Sequence, residues 1–219
     1  MNIRKNVSFK GLTATVIADG VTDSHPFFVY CNDEDEKTFE KYSNIVFVNV
    51  ISLDWERDLS PFPHAKVFKG GTDFSGEADQ YLERFLPLTE KIEKELGFVP
   101  KERVISGYSL AGLFALYASL FTDRFTCVNC VSGSLWYPGF LSLLKEKGSM
   151  AEKIYFSIGR KESQTKNQFL SKGLVSMQEA YDFLSSASKE TKFEINEGGH
   201  FENVSSRMQK GLDWLLFQH

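Results

Sequence analysis

The sequence predicts an α/β fold, an eight-stranded, mostly parallel sheet with helices on both faces. Two observations predict it. Short apolar runs rich in Val, Ile and Phe alternate with longer stretches whose apolar residues recur at helical spacing, the pattern of strands joined by helical crossovers. Two of these runs, 26–31 (Pro-Phe-Phe-Val-Tyr-Cys) and 45–51, are apolar at nearly every position, as in strands covered on both faces.

Taken in order, 7–10 and 12–18 read as two strands joined at Gly11, followed by the third strand at 26–31. The acidic run Asn32-Asp33-Glu34-Asp35-Glu36 opens a short helix ending near Tyr42, its carboxylates complementing the dipole of a first turn. The fourth strand spans 45–51. From Ser52 to about Gly76 the residues exclude regular structure, and a loop of that length in a compact domain usually has a function. Residues 78–96 place Leu82, Phe85, Leu88, Ile92 and Leu96 on one helical face, with Pro87 expected to kink the helix and Gly97 to stop it.

The fifth strand, Arg103 through Gly107, leads past Tyr108 and Ser109 into an apolar helix from Leu110 to Leu120. A sixth strand at 125–131 ends in Ser132-Gly133-Ser134, and 135–149 forms an aromatic-containing insertion with a short helix. A seventh strand at 153–158 ends at Gly159-Arg160-Lys161-Glu162. A long helix at 166–188 carries Leu170, Leu174, Met177, Tyr181 and Leu184 on one face. The eighth strand, 193–196, turns through Glu197-Gly198-Gly199-His200 into a final amphipathic helix marked by Val204, Met208, Leu212, Leu215 and Leu216. No repeat or low-complexity linker interrupts this order, so 1–219 reads as a single domain.

Composition narrows the function classes. With 219 residues the chain can bury a core unaided. Charged residues at 25% and hydrophobic residues at 42% are those of a soluble globular protein, and a net charge of −4 gives no basis for nucleic-acid or membrane partners. No apolar run reaches the ~18–20 residues of a membrane span. The opening Met1-Asn2-Ile3-Arg4-Lys5-Asn6 is not followed by the apolar stretch of a secretory signal. Three cysteines, an odd number, argue against a disulfide framework and suit the cytoplasm. Cys127 and Cys130 form a C-x-x-C without a second ligand pair and read as structural thiols, so no metal or other cofactor is expected. The sequence is compatible with a homodimer.

The chemistry is expected at Gly107-Tyr108-Ser109-Leu110-Ala111. A strand that turns sharply into a helix with one serine at the apex is a nucleophile elbow, although its last position holds Ala111 where the strict motif has Gly. By chance the pattern should arise on the order of 0.1–0.2 times in such a chain, and its placement between strand and helix gives it weight. Eight strands with the elbow after the fifth is the plan of an α/β-hydrolase, in which base and acid follow the serine in the order acid, histidine. Of the four histidines His200 alone follows a late strand, and Gly198-Gly199 permit a close approach. His25 precedes a strand, His64 lies in the long loop and His219 ends the chain. Glu162, just past the seventh strand, is the expected acid, with Glu197 and Glu202 too near His200 in sequence to orient its ring. One oxyanion donor is expected at the Leu110 N–H, and the second near Asn32 after the third strand, with the loop near Ile51 as the alternative.

Several pieces resemble a known family. They are Arg57-Asp58-Leu59-Ser60-Pro61, Phe74-Ser75-Gly76, the stretch from Ser106 to Tyr117, Phe125, Ser132-Gly133-Ser134-Leu135-Trp136 and Gly198-Gly199-His200. Over about 45–217 the chain resembles the putative-esterase branch of the α/β-hydrolases, which includes siderophore (enterochelin-type) esterases, esterase D-like enzymes, feruloyl esterases and mycolyltransferases. The resemblance implies Ser109 as nucleophile, His200 as base, the Gly159-to-Glu162 turn as source of the acid, and substrate-binding roles for Arg57 and Trp136. It departs from the family at Cys31-Asn32, where Asp-Gly or His-Gly is usual, and in its short, acidic first helix. The alternative for Arg57 is a pair with Asp58 that holds the loop. Trp55, Phe62, Trp136, Tyr137 and Phe140 are aromatic candidates for a pocket, and Arg57 or Arg160 for an anionic group. The expected reaction is hydrolysis of a small-molecule carboxylic ester through an acyl-enzyme. Acyl transfer to an alcohol and a non-catalytic binding role on the same scaffold are the alternatives.

Overall fold

Gly11, at φ 77, turns the first strand back on the second, so that β1 (Ile3–Phe9) and β2 (Leu12–Ala18) pair antiparallel with Ile3 opposite Ala18. The computed structural model describes residues 1–67, 70–187 and 189–217. The remaining strands are β3 (Phe27–Asn32), β4 (Ile45–Val50), β5 (Arg103–Tyr108), β6 (Cys127–Val131), β7 (Lys153–Gly159) and β8 (Glu190–Asn196). They form one sheet in the order β1–β2–β4–β3–β5–β6–β7–β8. β2 also pairs antiparallel with β4, and every later pairing is parallel.

The helices are α1 (Trp55–Asp58), α2 (Ala78–Leu96), α3 (Leu110–Ala118), α4 (Phe140–Lys147), α5 (Gly173–Ser186) and α6 (Val204–Phe217). One face of the sheet packs Tyr81 and Phe85 of α2, Phe114 of α3, Phe140 of α4 and Met177 of α5 into the larger core. The other face is covered by Met208, Leu212, Leu215 and Leu216 of α6, joined by Phe39 and Tyr42. β3 to β7 are buried along nearly their whole length, which is why they read as unbroken apolar runs.

The differences from expectation lie where polar residues or side-chain hydrogen bonds decide. β1 and β8 begin earlier than predicted, at Ile3 and Glu190, because these edge strands carry exposed polar residues that no alternation betrays. β6 begins later, at Cys127. Phe125 packs into the core ahead of it. The helix expected after β3 is a single 3₁₀ turn, Glu36–Thr38. There Asp33, at φ 52, donates its N–H to Val50 O (2.8 Å), and Asn49 clamps both the N–H and the C=O of Glu34, so the backbone is bound to β4 rather than wound into a helix. The long helix begins only at Gly173. Ahead of it Asn167 Oδ1 accepts the N–H groups of Phe169 and Leu170, at the start of a 3₁₀ turn at Leu170–Lys172. The expected end of that helix, Ser188, lies outside the described residues. α2 runs on through Pro87, which lies on its partly exposed side, where the carbonyl that proline leaves unpaired can meet water.

Candidate active site

The turn between β5 and α3 is built for close approach. A Cβ on Gly107 would stand 2.2 Å from the Ala111 carbonyl oxygen, and one on Gly112 would stand 2.9 Å from that of Gly107. Between them Ser109 takes φ 56 and ψ −119, a conformation that costs a serine on the order of 1–3 kcal/mol. β6 and the turn after it hold it there. Ser109 N–H donates to Val131 O, and Ser134 N–H donates to Ser109 O, both at 3.0 Å. All nine residues of α3 are buried, so the helix is anchored on every side and Leu110 N–H stands at its start, without an intrahelical acceptor.

Ser109 Oγ lies 3.0 Å from His200 Nε2, and His200 Nδ1 lies 2.7 Å from Glu162 Oε2. Gly198, at φ 94, brings His200 round from β8, and Glu202 steadies the turn by accepting the Gly199 N–H at 2.8 Å. The other oxygen of Glu162 accepts from Gly159 N–H (2.6 Å), Ser132 Oγ (2.7 Å) and Arg207 Nη2 (2.7 Å). Burial alone would raise this carboxyl, but the hydrogen bonds from His200, Arg207 and Ser132 outweigh it and hold Glu162 at about 2. It is therefore ionised at neutral pH.

An apolar cleft opens beside Ser109 and His200. Its wall includes Gly133, Ser134, Trp136, Ile158, Leu170 and Phe201, a residue 89% exposed at the mouth. Trp136 is held by ring contacts to Tyr137 and Phe169, each at 6.2 Å between centroids.

The family model described as "Putative esterase" matches residues 61–203, more than half of the chain. The chain belongs to the putative esterase family. It is accordingly a carboxylic ester hydrolase, and its sheet is that of the α/β-hydrolase fold. Among solved structures the esterase is similar to siderophore hydrolase EstB from Aspergillus nidulans (TM-score 0.74, 14% identity, 97% of this chain and 94% of that one). It is also similar to siderophore hydrolase EstA from the same organism (0.70, 17%, 97% and 93%) and to an IroE-like serine hydrolase from Shewanella oneidensis (0.73, 18%, 97% and 78%). At these identities the likeness is one of fold. No curated protein sequence matches the chain.

Other residues singled out in the sequence stand elsewhere in the esterase. Arg57 is not on the cleft wall. Its guanidinium grips Asp58 at 3.0 and 2.9 Å, and the fully buried Asp58 carboxylate also takes Arg84, which makes the pair a staple between the long loop and α2. Asn32 is fully buried with its side chain accepting the Tyr81 hydroxyl, and it does not line the cleft. The amides of Asp33 and Glu34 are engaged by β4, and that of Ile51 by Thr13 O at 2.9 Å. Trp55 donates to Asp33 (3.1 Å), Phe62 O accepts from Tyr137 (2.6 Å), and Phe140 is core. Arg160 pairs with Glu197 in solvent. Cys31, Cys127 and Cys130 are free and buried, burial pushing the Cys130 thiol up to about 12. Among the described residues no cluster of His, Cys, Asp or Glu could hold a metal, and no helix is long and apolar enough to cross a membrane.

Two residues of the site escaped the sequence reading. Tyr108 donates its hydroxyl to His200 O, and Arg207 reaches in from α6. An arginine in the first turn of an amphipathic helix ordinarily faces solvent, so its position carried no signal.

Proposed function

We propose that this esterase hydrolyses small-molecule carboxylic esters through an acyl-enzyme formed on Ser109, with His200 as base and Glu162 as acid. The observation that carries this reading is the unbroken hydrogen-bonded path from Ser109 Oγ to His200 to Glu162, at 3.0 and 2.7 Å, beginning at a strained apex. A serine hydroxyl is a weak nucleophile until a base takes its proton. His200 Nε2 is placed to do so as Oγ attacks the ester carbonyl. Glu162, ionised and facing Nδ1, keeps the proton on that nitrogen and stabilises the imidazolium. Leu110 N–H meets the developing oxyanion. The alcohol leaves with the proton from His200, and water activated by the same imidazole releases the acid.

The cleft between Trp136, Ile158, Leu170 and Phe201 suits a compact apolar group of the substrate. The three free thiols fit the reducing cytoplasm. Turnover of short p-nitrophenyl esters, with a siderophore ester in the panel, tests the reading. Ser109→Ala should abolish hydrolysis and labelling by a fluorophosphonate while leaving the fold intact. Wild-type turnover in that variant would end it.

A further inference from the structure

Arg207 is 2% exposed, yet its guanidinium meets four segments that the site depends on. Nη2 donates to Glu162 Oε1 at 2.7 Å and to Ser132 Oγ. Nη1 donates to Tyr108 OH at 2.9 Å and to Gly199 O at 3.3 Å. The same cation lies over the Tyr108 ring, 5.4 Å from its centroid. These partners belong to the residue before the nucleophile, the turn after β6, the acid itself and the turn that carries His200. Burying a guanidinium among them is costly unless each contact is made, and a cation beside the acid opposes the gathering of a second positive charge on His200.

Resting on the Ser109–His200–Glu162 reading, we infer that Arg207 is a positioning residue for ester hydrolysis. It occupies the Oε1 edge of Glu162 so that only Oε2 faces His200. The groups that face His200 are few. Glu162 approaches from the β7 turn and Arg207 from α6. Tyr108 at the end of β5 lies 5.3 Å away ring to ring, with Glu34 behind it accepting the Tyr108 N–H at 3.0 Å. On its own turn Glu202 is bound to Gly199 N–H and Glu197 to Arg160, while Lys161 points to solvent. Among these described groups Arg207 is the buried cation in contact with the acid.

The test compares Arg207→Gln and Arg207→Lys for kcat, KM and the pH dependence of kcat/KM on a p-nitrophenyl ester, and for the pH dependence of fluorophosphonate labelling of Ser109. In Arg207→Gln we expect kcat to fall about 10²-fold with KM little changed, as for a mispositioned group. The acid limb of both profiles should move up by about one pH unit, because the imidazolium no longer has a cation near it. Arg207→Lys keeps the charge but not the two-pronged fork. It should leave the acid limb in place and still lower kcat several-fold. Should Arg207→Gln not fold, Arg207→Lys decides alone, and a wild-type kcat there overturns the inference. Folded variants with wild-type profiles, or equal losses in both with an unmoved acid limb, overturn it too. A wild type that the fluorophosphonate does not label would instead defeat the triad reading, and the inference with it.

Discussion

Glu162 uses its two oxygens differently, and the difference can be probed with one atom. Oε1 collects three donors from Gly159, Ser132 and Arg207, while Oε2 faces His200. In Glu162→Gln the donors keep the amide oxygen on the Oε1 side, so the NH₂ must face His200 Nδ1. That forces the tautomer with the proton on Nε2, which cannot accept from Ser109. We expect kcat to fall roughly 10³–10⁴-fold with folding retained, measured on p-nitrophenyl esters. A near-wild-type rate would mean that Ser109 and His200 act as a dyad. At this scale the meeting of Ser109, Glu162 and His200 was legible, because each follows a strand that could be recognised and parallel strands deliver their ends to one edge of the sheet. Arg207 was not, since its burial comes from where α6 crosses the sheet. For Arg57 the pair with Asp58 was one of the two readings the sequence offered, but it left no mark by which to choose between that partner and a substrate.

α6 lies against the sheet only because Gly211 has no side chain. A Cβ there would stand 1.9 Å from Asn129 Oδ1 and 2.6 Å from Tyr155 Cδ1. Asn129 also donates to Ser106 Oγ and to Met208 O, tying β5, β6 and α6 together. Gly211→Ala should destabilise the protein by about 1–3 kcal/mol in urea unfolding, the usual cost of overpacking. It should also lower kcat, because Arg207 sits one turn earlier on the helix that must shift. Unchanged stability would mean that Asn129 can rotate away at little cost. Elements whose burial is uniform, β3 to β7 and α3, were the ones that could be read from composition. The 3₁₀ turn after β3 could not be, because the acidic run suits a helical first turn equally well and the deciding partner, Asn49, is 15 residues away from Glu34.

Across the whole molecule two buried carboxyls pull stability in opposite directions with pH. Hydrogen bonds hold Glu162 at about 2 against a usual 4.5, so the stability it contributes is present above about pH 4.5 and is lost as pH falls toward 2. Glu34 is the reverse. Burial, with help from Asp33 and Asp35, raises it to about 8 despite the Tyr108 N–H it accepts. Between about 4.5 and 8 the unfolded chain has released that proton while the folded protein keeps it, so stability falls as pH rises through this window. Glu34→Gln keeps an acceptor for Tyr108 and removes the ionisation. Its Tm should exceed that of the wild type at pH 8 to 9, with the gap closing near pH 4.5. A lower Tm at pH 8 would show that Glu34 is ionised and paired in the fold. The ring of Phe201, left in water at the mouth of the cleft, has a thermodynamic consequence of its own. Any substrate that covers it removes apolar area from water and so binds with a negative change in heat capacity. Part of the affinity of this esterase is then hydrophobic in origin, a contribution that weakens on cooling.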